Sequence, residues 1–251
     1  MPDPVGISPS QIKTYHEQCP RRWWYSRNRP RPPRRDDDPA VFGDRVHLVL
    51  EDWLQYGTVL DLGTREGKTA IAGLGFLPPP KAALVEGKFS FVYDRVKYNG
   101  RIDFTTDYEQ GQHITIGDHK TIGQLHRHKT EDELVWDPQR IIYSMWGVLR
   151  YRVQRVTARW VYYQRVTKSR KHGKSTVVEF TEEADMIRER FEDLHKRRSL
   201  PILNARLDDR GPTALPRNME NCNLFPPHGC PYREECHGGL SSIDRLKAAF
   251  E

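Results

Sequence analysis

The chain has no apolar run approaching the roughly 18 residues that a membrane-spanning helix needs, and its opening residues MPDPVGISPS lack a secretory signal's apolar region. The expectation is therefore a cytoplasmic protein without a membrane partner. Cysteine is scarce, four in 251 residues, and is unevenly placed: Cys19 stands alone, while Cys222, Cys230 and Cys236 crowd the C-terminal end. In a reducing compartment that pattern points to a metal or cluster rather than to a disulfide framework. No internal repeat and no convincing boundary between separate domains is present. Residues 1–251 read as one domain with an N-terminal helix and basic linker (1–39), a core (40–199) and a cysteine-containing segment (200–251). The formal charge of +6 fits a polyanionic partner and selects none by itself.

What is present is hydrophobic periodicity. Ser8 and Pro9 suit a helix start, Gln11 completes a Ser-x-x-Gln capping box, and Ile12, Tyr15 and Cys19 share one face. Residues 21–39 begin as helix and end as an Arg/Pro-rich connector. A helix over 40–55 carries the stripe Phe42, Val46, Val49, Leu50, Trp53 and Leu54. Residues 57–80 read as loop with a short helix. Strands follow over 84–94 and 101–108, with Asn99-Gly100 as the turn between them. A third strand spans 113–121. Asp137-Pro138 opens a helix to about 152, strands cover 156–167 and 175–181, and an amphipathic helix occupies 182–199. The order predicts an α/β fold.

Asp118 and Lys120 lie two residues apart on the third strand, hence on one face, and strand pairing brings Asp103 beside Asp118. Two neighbouring carboxylates repel each other unless a cation neutralises them, and such hard oxygen ligands suit Mg²⁺ or Mn²⁺. Lys120 would then hold a water or stabilise charge developing on a phosphate. Taken alone, Asp-x-Lys is also what an ordinary surface ion pair on a strand looks like.

Its company distinguishes it. Gly43-Asp44-Arg45-Val46-His47 on a helix, Gly100-Arg101-Ile102-Asp103 on a strand, Asp118-His119-Lys120-Thr121 on the next and Gln139-Arg140-Ile141-Ile142-Tyr143 on a helix occur in that order. In this the sequence resembles the PD-(D/E)XK nuclease superfamily, and within it the branch of the RecB nuclease domain and the CRISPR-associated adaptation nucleases. The resemblance implies a restriction-endonuclease-like mixed central sheet flanked by helices and a Mg²⁺- or Mn²⁺-dependent DNA nuclease, expected to be an exonuclease acting in recombination, repair or phage DNA processing. It implies that His47, Asp103, Asp118 and the His119 carbonyl ligate the metal and that Lys120 positions the attacking water. Gln139 and Tyr143 would steady Lys120 or the DNA backbone. Glu86 is a looser addition.

Tyr15-x3-Cys19-Pro20 and Cys230-Pro231-x4-Cys236 look like that branch's iron–sulfur motifs, which implies a [4Fe–4S] cluster on Cys19, Cys222, Cys230 and Cys236 joining the chain ends. The seven-residue gap after Cys222 is wider than usual there, and four thiolates would also satisfy zinc; His228 and His237 are potential substitute ligands. Arg21 and Arg22, interleaved with Trp23 and Trp24, and the loop cations Lys168, Arg170 and Lys171 are candidate DNA contacts; the tryptophans read equally as core. The expected partner is DNA, single-stranded or with free ends, and a homo-oligomer or a recombination-protein partner is compatible with it. A DNA-binding adaptor with dispensable chemistry and an RNA-cleaving enzyme are the competing readings.

Overall fold

The computed structural model describes residues 5–30, 34, 36, 38–222 and 229–237, with the side chain of Glu86 and residue His228 outside that set. Its described residues form two compact units. One lies within Met1–Gly6 and Arg34–His195, the other within Ile7–Pro33 and Lys196–Glu251.

The first unit holds the sheet. Strand β1 (Val5–Ile7), β2 (Leu84–Tyr93), β3 (Val96–Glu109), β4 (His113–Ile122), β5 (Arg155–Gln164) and β6 (Lys174–Glu183) pair in the order β1-β3-β4-β5-β6, with β2 also on β3. Strands β2–β3, β3–β4 and β5–β6 pair antiparallel and β4–β5 parallel, so the central sheet is mixed. A parallel pair needs a crossover, and residues 123–154 supply it with two helices, α5 and α6, introduced below. Strand β5 is buried almost throughout, as expected of a strand covered on both faces.

One face packs against helix α3 (Pro39–Tyr56). Asp38 caps it by accepting from Ala40 N at 2.8 Å, Pro39 sits at the first position, and Gly57 ends it at φ 76°. Phe42, Val46 and Leu50 meet Val161 and Tyr163 of β5 and Ala70 of the short helix α4 (Arg65–Ala70). Each such buried side chain contributes about 1.5–3 kcal/mol. The opposite face packs against α6 (Pro138–Tyr151), which follows α5 (Glu131–Val135) and buries Ile141, Ile142, Met145 and Val148. Gly147 lets α6 settle on the sheet, since a Cβ there would lie 2.7 Å from Ile116 Cδ1. Helix α7 (Ala184–Leu194) completes the unit and is followed by a π turn over His195–Ser199.

The hairpin between β2 and β3 departs from the expectation. The chain reverses at Asp94-Arg95, at φ 40° and 64°, and Asn99 and Gly100 lie inside β3 opposite Ser90 and Phe89. Gly100 serves close packing instead of a turn. A Cβ there would lie 2.7 Å from the Phe89 ring and 3.0 Å from that of Tyr143.

In the second unit, α1 (Pro9–Lys13) runs into a π turn over Thr14–Gln18, and α2 (Pro20–Asn28) follows. The capping box is not formed: Ser8 makes no side-chain cap bond, and Gln11 Oε1 accepts from Trp23 Nε1 at 3.3 Å. Trp23 is buried, 2% exposed. Helix α8 (Leu200–Leu207) and the single turn α9 (Arg233–Cys236) complete the described part.

Candidate active site

Phe104 of β3 pairs with Gly117 of β4, so the next residues outward, Asp103 and Asp118, adjoin on neighbouring strands. Gly117 allows this pairing because Phe104 lies across it, with ring atoms 2.0 Å from where a Cβ would sit. Both carboxylates are buried, Asp103 at 6% and Asp118 at 2% exposure. Asp103 Oδ2 accepts from the His119 backbone N–H at 2.5 Å, which ties the two strands together at the site. Its Oδ1 lies 3.4 Å from His47 Nδ1. His47 reaches it from α3 because that helix approaches β4 at Gly43, where a Cβ would be 2.8 Å from Thr121 Oγ1.

Asp118 is held from two sides. Lys120 Nζ makes an ion pair with Oδ2, and Gln139 Nε2 donates to Oδ1 at 2.6 Å. The same amide donates to Tyr143 OH at 3.0 Å, and Tyr143 donates to the Arg101 carbonyl at 2.6 Å. Gln139 and Tyr143 are one helical turn apart on α6, so one face bolts β3 to β4. In the structure they contact Asp118 and the Arg101 carbonyl. The first turn of α6 is fixed by Asp137, which caps it by accepting from Gln139 N at 2.7 Å and forms an ion pair with Lys129.

Burial and charge divide the two aspartates. Burial would raise Asp103, but the His47 hydrogen bond and positive charges around it outweigh that and hold it at about 2. Burial together with the neighbouring Asp103 raises Asp118 to about 6 against the opposing pull of Lys120. Burial works against the charged form of His47, yet Asp103 and Asp118 raise it, and Lys120 is likewise raised by the two carboxylates against its own burial. Burial lowers His119 to about 4, leaving its imidazole neutral between His47, Phe104 and Tyr163. Hard carboxylate oxygens beside an imidazole are a donor set suited to Mg²⁺ or Mn²⁺, and the raised Asp118 marks where positive charge is wanted. Among the described residues, which include all four cysteines, no three histidine, cysteine, aspartate or glutamate side chains form a group that could hold a metal ion. Asp118 is turned to Lys120 and Gln139, Asp103 to His47 and His119 N, and an ion would have to draw these oxygens away.

A family model described as the PD-(D/E)XK nuclease superfamily matches residues 6–74 and 75–237. The chain belongs to this superfamily. It is therefore a nuclease by family, and its mixed sheet flanked by helices agrees with that fold. Comparison with curated proteins gives no match. Among solved structures it is similar to one described as "Crystal structure of SSO0001", at 13% identity over 77% of this chain and 76% of that one, with a TM-score of 0.37.

The nuclease's four cysteines lie in its second unit and line one small cavity with Arg22 and Tyr232. Cys230 N donates to Cys222 O at 2.9 Å, and Gly229 has φ 75° and lies so close to Cys222 that a Cβ there would be 2.7 Å from its carbonyl O. Asn221 Nδ2 donates to Gln18 O at 2.7 Å, which brings the C-terminal cysteines to Cys19. Tyr25 and Tyr232 stack at 5.8 Å. Burial and the neighbouring cysteines raise the Cys222 and Cys230 thiols. His237 Nε2 lies 3.8 Å from Cys222 Sγ.

The proposed DNA contacts are divided. Arg21 is spent on the carbonyls of Leu215 (2.8 Å) and Thr213 (3.3 Å), and Arg22 faces the cysteines. Arg170 Nη1 donates to the carbonyls of Gly123 (3.0 Å) and Arg165 (3.2 Å), joining the loops after β4 and β5. Lys168 and Lys171 are exposed. Sequence reasoning read Asp137 only as a helix cap and passed over Lys129 and Tyr162. An Asp-Pro before the Gln-x-x-x-Tyr helix was the available signal for Asp137. Nothing in the local sequence marked the other two.

Proposed function

We propose that this nuclease is a Mg²⁺- or Mn²⁺-dependent deoxyribonuclease of the branch containing the RecB nuclease domain and the CRISPR-associated adaptation nucleases. It hydrolyses phosphodiesters from free ends or in single strands, during recombination, repair or phage DNA processing. The observation that carries this is the pair of buried, adjoining carboxylates, Asp103 and Asp118, with Lys120 bonded to one and His47 facing the other. His47, Asp103, Asp118 and the His119 carbonyl would hold the metal, which supplies Lewis-acid polarisation of the phosphate and a water of lowered pKa. Lys120, paired with Asp118 Oδ2 in this structure, would present N–H donors to the attacking water and to the charge building on the phosphoryl oxygens. Gln139 fixes the Asp118 carboxylate, and Tyr143 fixes the Arg101 carbonyl two residues before Asp103. The test is digestion of end-labelled DNA, single- and double-stranded, with Mg²⁺, with Mn²⁺ and with chelator. Wild type should degrade it only with metal, and Asp118→Ala and Lys120→Ala should not. Retained cleavage by both variants sinks the assignment, and DNA binding without cleavage by wild type indicates an adaptor. An RNA panel tests the remaining substrate.

We propose further that Cys19, Cys222, Cys230 and Cys236 hold a [4Fe–4S] cluster that ties the second unit together. Their shared cavity supports this, as does the Arg22 guanidinium beside thiolates that together with a cluster carry net negative charge. Anaerobically purified protein should be brown and contain iron and sulfide. Colourless protein with one zinc per chain indicates the zinc site instead.

A further inference from the structure

On β5 the residue beside Lys120 is Tyr162, in parallel register, so both side chains rise from the same face of the sheet. Tyr162 is 3% exposed; its buried hydroxyl oxygen faces the backbone N–H of Lys129, and its own proton has no acceptor in the protein. Leaving such a group unsatisfied is costly, and the surroundings do not explain it as packing alone. The hydroxyl lies within electrostatic reach of Asp118 and Asp137, and its ring contacts His128 at 5.7 Å.

The next residue, Lys129, is anchored rather than loose. Its ammonium pairs with Asp137, whose other oxygen caps α6 through Gln139 N, and Gln139 in turn holds Asp118. Asp137 also acts electrostatically on Lys120, so the two lysines share one neighbourhood. An ammonium has three donors and Asp137 takes one, while the side chain remains 39% exposed. Beside Lys120 there is thus a second cation and a buried phenol, all donors, in a segment with no acid between Ile122 and Thr130. That chemistry recognises a phosphate.

We propose that Tyr162 and Lys129 form a second phosphate-binding subsite, which takes the phosphate neighbouring the scissile one on the same nucleic-acid strand. This rests on the nuclease reading and deepens it: the enzyme would recognise a stretch of backbone rather than a single phosphodiester. Tyr162 supplies one neutral hydrogen bond to the phosphate, and Lys129 supplies charge. Asp137 makes the subsite rigid with respect to Asp118, since both are held by Gln139.

The subsite can be tested without hydrolysis. Binding of a short fluorescein-labelled single-stranded oligodeoxynucleotide is measured in EDTA, by anisotropy across a salt series, for wild type, Tyr162→Phe and Lys129→Gln. Tyr162→Phe removes only a contact with the Lys129 backbone N–H and a proton without an acceptor, so thermal stability should change little while affinity falls about tenfold. Lys129→Gln should flatten the dependence of log affinity on log salt by about 0.7, the loss of one single-strand phosphate contact. Unchanged affinity in Tyr162→Phe overturns the subsite, as does a fall in stability with no change in binding, which would mean the hydroxyl is structural. An unchanged salt slope in Lys129→Gln removes Lys129 from it. Hydrolysis of the same oligonucleotide in Mg²⁺ is read separately: if wild type binds as described but never cleaves, the nuclease reading fails and the subsite stands.

Discussion

At Asp118, burial and Asp103 push one carboxyl toward its protonated form while Lys120 pulls the other way, and the result is a group at about 6. A carboxyl raised above its ordinary value favours the fold when protonated. Its penalty therefore appears as pH rises from the ordinary carboxylate range through about 6, and is full above that. A divalent cation between Asp103 and Asp118 would remove the penalty. Mn²⁺ should therefore raise the melting temperature more at pH 8 than at pH 5, where it must first displace a proton. An equal shift at both pH values would speak against binding at this carboxylate. Tyr143 tests the support around the site. Tyr143→Phe breaks the bonds to the Arg101 carbonyl and to Gln139, and should cost about 1 kcal/mol in chemical denaturation together with a loss of cleavage rate. His47, Asp103, Asp118, Lys120, Gln139 and Tyr143 were all readable from the order of their motifs. Tyr162 was not, because it comes beside Lys120 only through β5 lying parallel to β4, and Lys129 was not, because its place is set by the ion pair with Asp137; no local pattern encodes either.

Gly100 shows how an element can be misread by a correct local rule. Asn-Gly is a strong turn signal, yet here β3 runs straight through it and the reversal falls at Asp94-Arg95, two residues in the left-handed region. The glycine is needed because α6 brings Tyr143 down onto β3 and Phe89 lies alongside. Gly100→Ala should cost about 1–3 kcal/mol by overpacking and should displace Tyr143 from the Arg101 carbonyl, visible as lost protection of that stretch of β3 in hydrogen exchange. The α5–α6 junction depends on Arg140. It is 1% exposed, donates to Leu134 O and Val135 O, and pairs with Glu182 of β6, which also pairs with Arg190. Glu182→Ala leaves that guanidinium buried without its carboxylate and should destabilise the protein by about 3–5 kcal/mol in denaturant titration. Long periodic helices such as α3 and α6 were legible to within a residue or two. The single-turn α5 and the helix α8 were not, being too short or too weakly amphipathic to register a period.

For the whole molecule, the α/β class followed from the alternation of helices and strands, while the parallel pairing of β4 with β5 was not legible before the structure. The cysteines were legible as a group because three cluster and one stands apart; what joins them was not, since it depends on Asn221 reaching the Gln18 carbonyl and on Cys230 N donating to the Cys222 carbonyl. If these thiols hold a cluster, Cys230→Ala should lose iron and raise hydrogen exchange across α1, α2 and α8 while leaving β4 and β5 protected. The central claim is that phosphodiester hydrolysis takes place at Asp103, Asp118 and Lys120 with a bound metal. It is tested most directly by the single-turnover cleavage rate of Lys120→Ala on single-stranded DNA in Mn²⁺, with Mn²⁺ binding measured on the same preparation. The expected result is metal binding retained and a rate lower by about a hundredfold or more. A rate near that of wild type would contradict the account.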